Sequence, residues 1–345
     1  MEPLWRNGTH IERLFSQRAD VRCRCSSMPL QRVMTDFGAD VAFGQVPDKL
    51  KEHYGITMSP STIRRTTEHH AKEISEWESS KEIKMNDGPG GIFIGELDGS
   101  MAPVVQPSLD EKDKRKGKTL CWKEIKLNLV YRQGSTNPVF GGSFFESVDE
   151  SGYQWWRSAV KSGFNLNSCM HAIGDGATWI KNQSKIQFGS QGHYLVDFFH
   201  VCEYLSDASK VCEPEDSKSW VDTQKDRLKN NDVKAVREAL KPFIDNDCDD
   251  HPVTSCDRYL GNRLEDLDYK GAIEKGLPIG SGEIESAHRY VIQERIKLPG
   301  AWWSISNLKA MLALRLNRAN QEWNDYWNKT KKGSDEICPP IVASL

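Results

Sequence analysis

A chain of 345 residues with 38% hydrophobic and 28% charged residues is long enough for roughly two domains and has an ordinary globular composition, which excludes wholesale disorder. Its formal net charge of −3 gives no whole-molecule reason to bind a polyanion, so any nucleic-acid contact must come from local clusters of cations. No apolar run approaches the roughly 18 residues of a spanning helix, and the polar start MEPLWRNGTHIERLF lacks a signal-peptide core. The expectation is a cytoplasmic protein with no membrane partner.

Nine cysteines, an odd number scattered along the chain, do not form a disulfide framework in a protein of this size and read as reduced thiols. Cys23 and Cys25 in VRCRCSS have one residue between them where zinc sites have two to four, and no second pair follows nearby.

From about residue 36 to 77 the pattern is helical. DFGADVAFGQVPDKLKEHYG carries apolar residues at helical spacing and predicts a helix ending at Gly55. Ser59 is then a natural N-cap and Pro60 suits a first helical turn. Helix, glycine turn and a helix opening on Ser61, Thr62, Arg64 and Arg65 is the layout of a helix-turn-helix, although an ordinary helical hairpin shares it. Residues 1–78 therefore form an N-terminal region with the DNA-binding segment at about 36–78, and the polar residues 79–90 read as a linker.

Beyond the linker the period changes. GIFIGELDGSM predicts a short strand, WKEIKLNLVYRQG an alternating one, and NPVFGGSFFES a third. Between the first two lies the basic run KDKRKGK, with Lys114, Arg115 and Lys116 at its centre, which on its own reads as a solvated loop. SGYQWWRSAVKSGF predicts a helix, SCMHAIGDGATWI a buried strand, and QGHYLVDFFHVCEYL a strand passing into a helix. This order predicts an α/β protein, a mixed sheet flanked by helices. Residues 206–275 lose the strand signal and read as a helical insertion, and NLKAMLALRLNRANQEWNDYW predicts one long helix.

Asp98 and Asp175 end two predicted strands, and each is followed by glycine. Carboxylates at neighbouring strand ends share a crevice and suit Mg²⁺ or Mn²⁺, and a third carboxylate on a nearby helix would complete a two-metal clamp for phosphodiester chemistry. A single Asp-Gly pair is also a common turn.

The segments ELDGSM, HAIGDGATWIKN, LVDFFHVCEYL and LPIGSGEIESAHRYVIQERIKLPGAWWS occur in the order and spacing of bacterial insertion-sequence transposases of the ISKra type. The chain resembles these relatives of the ISL-type and Mutator-like enzymes over about residues 91–327. The resemblance implies a ribonuclease-H-like fold with a DDE triad on Asp98, Asp175 and Glu285, and an Asp-x-x-His element on Asp197 and His200 in a supporting role. It also implies a helical insertion, so the core is expected at 91–205 and 276–345. Members usually carry a longer, cysteine-bearing N-terminus, which makes Cys23 and Cys25 look like the tail of such an element in a truncated copy.

Helical periodicity bears on which glutamate acts. At 100° per residue Glu285 falls beside Ile292 and Ile296 at the edge of the packed stripe, whereas Glu283 lies on the far side and suits a helix N-terminus. Arg289, Arg295 and Lys297 are expected to hold phosphates, and Trp302 and Trp303 either stack on an unpaired base or fill the core, with Trp303 assigned to DNA. With a DNA partner, the basic run joins the expected contacts.

The resulting expectation is a DDE transposase that binds terminal inverted repeats. It would cut and join double-stranded DNA with two Mg²⁺ (or Mn²⁺) ions and assemble as a homo-oligomer on transposon ends and target. The alternatives are a catalytically impaired remnant acting as a DNA-binding repressor, or a ribonuclease-H-like nuclease or resolvase without strand transfer.

Overall fold

The computed structural model describes residues 26–107, 117–245, 247–248 and 250–335. Cys23, Cys25, Lys114, Arg115 and Lys116 lie outside the described residues. The chain divides into two compact units. One comprises Ile83–Gly99 and Lys126–Ser286, and the other comprises the described residues up to Glu82, Ser100–Ile125, and those from Ala287 onward.

The five strands of the sheet are β1 (Gly91–Pro107), β2 (Lys118–Arg132), β3 (Val139–Phe144), β4 (Ser168–Gly174) and β5 (Gly192–Val196), and the first unit holds β3, β4 and β5 whole, β1 up to Gly99 and β2 from Lys126. Their order is β3-β2-β1-β4-β5. β4 pairs in parallel with both β1 and β5, and parallel neighbours require crossovers, which α4 (Val148–Lys161) and α5 (Thr178–Phe188) belong to. Alternation along the strands decides which side chains meet these helices. Phe93 and Leu97 of β1 and Met170 and Ala172 of β4 share a core with Trp155 and Ala159 of α4 and Ile180 and Phe188 of α5. Trp155 is fully buried and sits edge-on to Phe188, with ring centroids 5.2 Å apart.

After β5 the described residues are helical as far as Glu274: α6 (Phe198–Cys212), α7 (Ser217–Lys229), α8 (Val233–Leu240), α9 (Pro252–Gly261) and α10 (Tyr269–Glu274). Local chemistry starts most of them. Asp197, Asp216, Asp232 and Asp268 each accept a hydrogen bond from a backbone N–H in the first turn of the helix that follows. Their apolar faces converge on a second core that includes Val201, Leu205, Leu228, Leu240, Val253 and Leu260. The architecture is thus a mixed α/β fold with a five-stranded mixed sheet flanked by helices, broadly consistent with a ribonuclease-H-like arrangement.

In the second unit, α1 (Met28–Asp40), α2 (Val46–Tyr54) and α3 (Pro60–Ser80) enclose Met34, Val46, Leu50 and Ile63. Gly55 ends α2 in the left-handed region (φ 66°), and the Ser59 hydroxyl caps α3 by accepting from Thr62 N–H. The single helix expected to run from about residue 36 to Gly55 is instead two helices. Pro47, at the start of α2, has no N–H to donate, and its ring would clash with the carbonyl of Phe43 in a continuous helix. The long C-terminal helix is likewise divided, into α13 (Ile305–Ala319) and α14 (Trp323–Asp335), with Gln321 at φ 60° between them. α13 lies along α3.

Candidate active site

The parallel register gathers acids on one face of the sheet. Glu96 pairs with Ile173, and Gly174 pairs with Val196. Asp98, Asp175 and Asp197 follow one or two residues past these last pairs; Asp175 and Asp197 come directly after β4 and β5, whereas β1 does not end at Asp98 as expected but continues to Pro107. Side chains two apart share a face, so Glu96 points the same way as Asp98, one step further inside.

The turn carrying Asp175 is held from several sides. Asp175 Oδ1 accepts from Ala177 N–H at 2.8 Å, which is the Asp-Gly turn chemistry considered from sequence. Its backbone carbonyl accepts from the Tyr259 hydroxyl of α9 at 2.6 Å. Gly176 donates its N–H to the Tyr194 hydroxyl at 3.1 Å, and its carbonyl accepts from Arg263 Nε at 2.9 Å. Gly176 adopts φ +84°, and a Cβ there would lie 2.4 Å from Arg263 Nε, so both conformation and space demand glycine. Burial, the largest influence on each, pushes the Tyr194 and Tyr259 hydroxyls well above the ordinary tyrosine range, so both remain protonated and able to donate.

Asp197 is buried and has a positioning role. Oδ1 accepts from Phe199 and His200 N–H, capping α6, while Oδ2 accepts from Ser281 N–H at 2.7 Å and from the Ser281 hydroxyl. Ser281 immediately precedes α11 (Gly282–Ala287), the short helix bearing Glu283 and Glu285. Glu96 reaches the same helix, Oε2 accepting from Ile284 N–H at 2.8 Å. Two buried carboxyls on the sheet therefore fix the start of the glutamate-bearing helix, and they satisfy N–H groups that a helix N-terminus leaves open.

Glu96 is the most perturbed acid of this group. It is fully buried. Burial raises its carboxyl to about 8, and the charges of Glu283, Asp197 and Glu285 push the same way against the lowering effect of the Ile284 hydrogen bond. At neutral pH it is a largely protonated acid. Oε1 has no hydrogen-bond partner of good geometry, although Tyr131 lies close enough for Glu96 to help raise its hydroxyl, chiefly after burial. Sequence reasoning missed Glu96. The available signal was a lone acid inside the apolar strand IFIGELDG, two residues from Asp98 and therefore on its face.

Among the described residues, no group of three or more His, Cys, Asp or Glu side chains is arranged to hold a metal ion. The expected pair of Mg²⁺ or Mn²⁺ ions on Asp98, Asp175 and Glu285 is corrected accordingly. Asp175 Oδ1 is engaged in its own turn, Glu285 is exposed on α11, and Asp197 spends both oxygens on four donors. The helical argument for Glu285 over Glu283 is also altered. A π-helical turn at His288–Gln293 intervenes before α12 (Glu294–Ile296), so 100° steps from Glu285 do not lead to Ile292 and Ile296. Both glutamates are exposed, and Glu283 acts on Glu96 more strongly than Glu285 does. His200 is half-buried with Nδ1 3.5 Å from Glu203, an i,i+3 contact on its own helix.

Several expected DNA contacts have other environments. Ser61, Arg64 and Arg65 are exposed at the front of α3, where Thr62 is half-buried. Arg289 is exposed, and Lys297 is half-buried with Nζ 2.6 Å from Ser100 Oγ. Arg295 is 1% exposed and donates from Nε to the Gly38 carbonyl, so it is not an open surface side chain. Trp303 is 5% exposed and donates to the Ile296 carbonyl at 2.9 Å, so it offers no open face for base stacking, whereas Trp302 is 61% exposed. No helix among the described residues is long and apolar enough to cross a membrane.

A search of curated proteins finds no match to this chain. A family model described as "Uncharacterised protein family (UPF0236)" matches residues 143–331, a span that takes in Asp175, Asp197, the helical segment and both glutamates of α11 and leaves out Glu96 and Asp98. Because the match covers more than half of the sequence, the chain belongs to the UPF0236 family.

Proposed function

We propose that this protein is a ribonuclease-H-like nuclease or resolvase that cuts phosphodiester bonds in double-stranded DNA. The observation that supports the reading is the register of the parallel strands, whose last pairs fall one or two residues before Asp98, Asp175 and Asp197, with the buried Glu96 in the last β1–β4 pair. In such a site one carboxylate, Asp98 or Asp175, accepts a proton from the attacking water, and a neighbouring acid supplies one to the leaving oxygen. Asp197 and Glu96 keep α11 in place, so Glu283 or Glu285 stands near these acids. The exposed residues at the front of α3, Arg64 and Arg65 above all, suit the phosphates of the duplex in the helix-turn-helix manner.

The resemblance to insertion-sequence transposases supports DNA as the substrate and adds one further step, transfer of the cut strand. Incubating the full chain with labelled linear duplex, transposon-end duplex and four-way junction DNA separates the outcomes. Cut strands without joined products are expected. Joined products would replace the nuclease reading with transposition, and absence of cutting on every substrate would defeat both.

A further inference from the structure

The second unit contains a cavity of about 510 Å³ among Arg64 and Glu68 of α3, Lys118 of β2, Arg295, Trp302 and Trp303. This volume lies in the range of small-ligand sites. One wall is unusual. Arg295 is 1% exposed, with its guanidinium 4.5 Å from the Phe43 ring and 4.9 Å from the Trp303 ring, and its Nη2 is buried with no hydrogen-bond partner. Burial, aided by the charge of Arg315, lowers its pKa to about 10, so it is still a cation at neutral pH. A buried cation with an unsatisfied N–H leaves room for an acceptor that the protein itself does not provide.

The other walls narrow the chemistry. Arg64 and Lys118 are both exposed, so together with Arg295 the cavity carries three cations. Glu68 is its one acid; its Oε1 accepts from Asn307 Nδ2 at 2.8 Å, and burial raises its carboxyl against the influence of Arg64, Asn307 and Arg295. The excess of positive charge calls for an anionic ligand. Trp302 lines the same cavity and is 61% exposed, an aromatic face without a covering partner large enough to hide it. Cations beside a free indole fit a ligand that is both anionic and planar.

We propose that this cavity takes one unpaired nucleotide of a DNA strand, the base stacked on Trp302 and the phosphate at Arg64 and Lys118, with Arg295 donating from the wall. The assignment rests on the reading of DNA as the partner and adds where a single-stranded segment is held. Trp302, and not Trp303, is then the stacking residue.

Fluorescence anisotropy on the full chain at fixed salt tests this with four ligands: a labelled single-stranded 12-mer, the same strand with abasic sites, a blunt 12-mer duplex, and a free 5′-mononucleotide as competitor. The base-bearing strand is expected to bind roughly 5- to 100-fold more tightly than the abasic one, the scale of one aromatic–base stack. Trp302→Ala should abolish that difference, while Arg64→Ala and Lys118→Ala should weaken both strands alike. Trp302 and Arg64 are exposed, and circular dichroism checks that these variants fold. Equal binding of abasic and base-bearing strands, or a Trp302→Ala variant that keeps the difference, overturns the proposal. So does a mononucleotide that binds better than the strand, which would make the ligand a free nucleotide. A chain that cuts duplex DNA yet ignores bases loses only the cavity assignment, whereas one that binds no DNA loses the DNA reading as well.

Discussion

Replacing Glu96 with glutamine isolates the most unusual group in the sheet. Glu96 is fully buried, and its carboxyl is raised from the ordinary 4.5 to about 8. Between these values the native state holds a proton that the unfolded state has released, so stability falls as pH rises through this window and levels off above about 8. Each pH unit inside the window is worth about 1.4 kcal/mol, which gives a loss on the order of 5 kcal/mol from pH 4.5 to 8. Glutamine keeps an oxygen to accept from Ile284 N–H and has no proton to lose. It also places an amide NH₂ or a second polar atom where Oε1 lacks a good partner, a pH-independent penalty of roughly 1–3 kcal/mol. The slope is therefore diagnostic, and the absolute difference is not. Urea denaturation of the parent and Glu96→Gln at pH 5, 6, 7, 8 and 9 should show the variant gaining on the parent by about 1.4 kcal/mol per pH unit up to pH 8, then running parallel. A constant difference across the series would refute the account of Glu96 as a buried, protonated acid.

Three further outcomes follow from the same contacts. Asp197→Ala removes an acceptor from Phe199, His200 and Ser281 and should destabilise by roughly 2–4 kcal/mol, measured by chemical denaturation, because it deletes a helix cap and strands buried donors. Gly176→Ala forces a Cβ against Arg263 in a left-handed backbone and should cost at least about 1–3 kcal/mol in the same assay, with a loss no larger than a few tenths contradicting the turn geometry. Tyr259→Phe deletes one hydroxyl hydrogen bond to the Asp175 carbonyl and should cost about 1 kcal/mol of stability; if the turn positions Asp175 for catalysis, DNA cutting should fall by a larger factor than this loss alone would produce.

Local chemistry made much of the fold readable. Ser59, Pro60 and Gly55 announced helix ends through capping and backbone preference, effects confined to a few neighbouring residues. The strand ahead of Asp175 was visible as a short apolar run and the helical stretch after β5 showed as a loss of alternation, whereas β1 continues to Pro107 past the expected end at Asp98. The breaks at Val41–Gln45 and Asn320–Glu322 were harder, because apolar spacing continues across them and only Pro47 hinted at the first. At the site, the sequence displayed the acids but not their hydrogen-bond partners. The alignment of Asp197 with Asp98 and Asp175 arises from parallel register, and the link from Glu96 to Ile284 joins residues far apart in sequence. The environments of Glu283 and Glu285 depended on a π-helical turn that a uniform 100° period does not contain. Arg295 and Trp303 looked like surface DNA contacts by residue type, yet tertiary burial decided their roles.

The central claim is that the carboxylates Asp98 and Asp175 on the sheet perform phosphodiester cleavage. Single-turnover cutting of four-way junction and duplex DNA by the parent, Asp98→Ala and Asp175→Ala, each shown to be folded by circular dichroism, tests it most directly. The account predicts a parent that cuts and variants slowed by roughly 10²–10⁴-fold, the scale of a lost general acid or base; folded variants that cut at the parent's rate would contradict it.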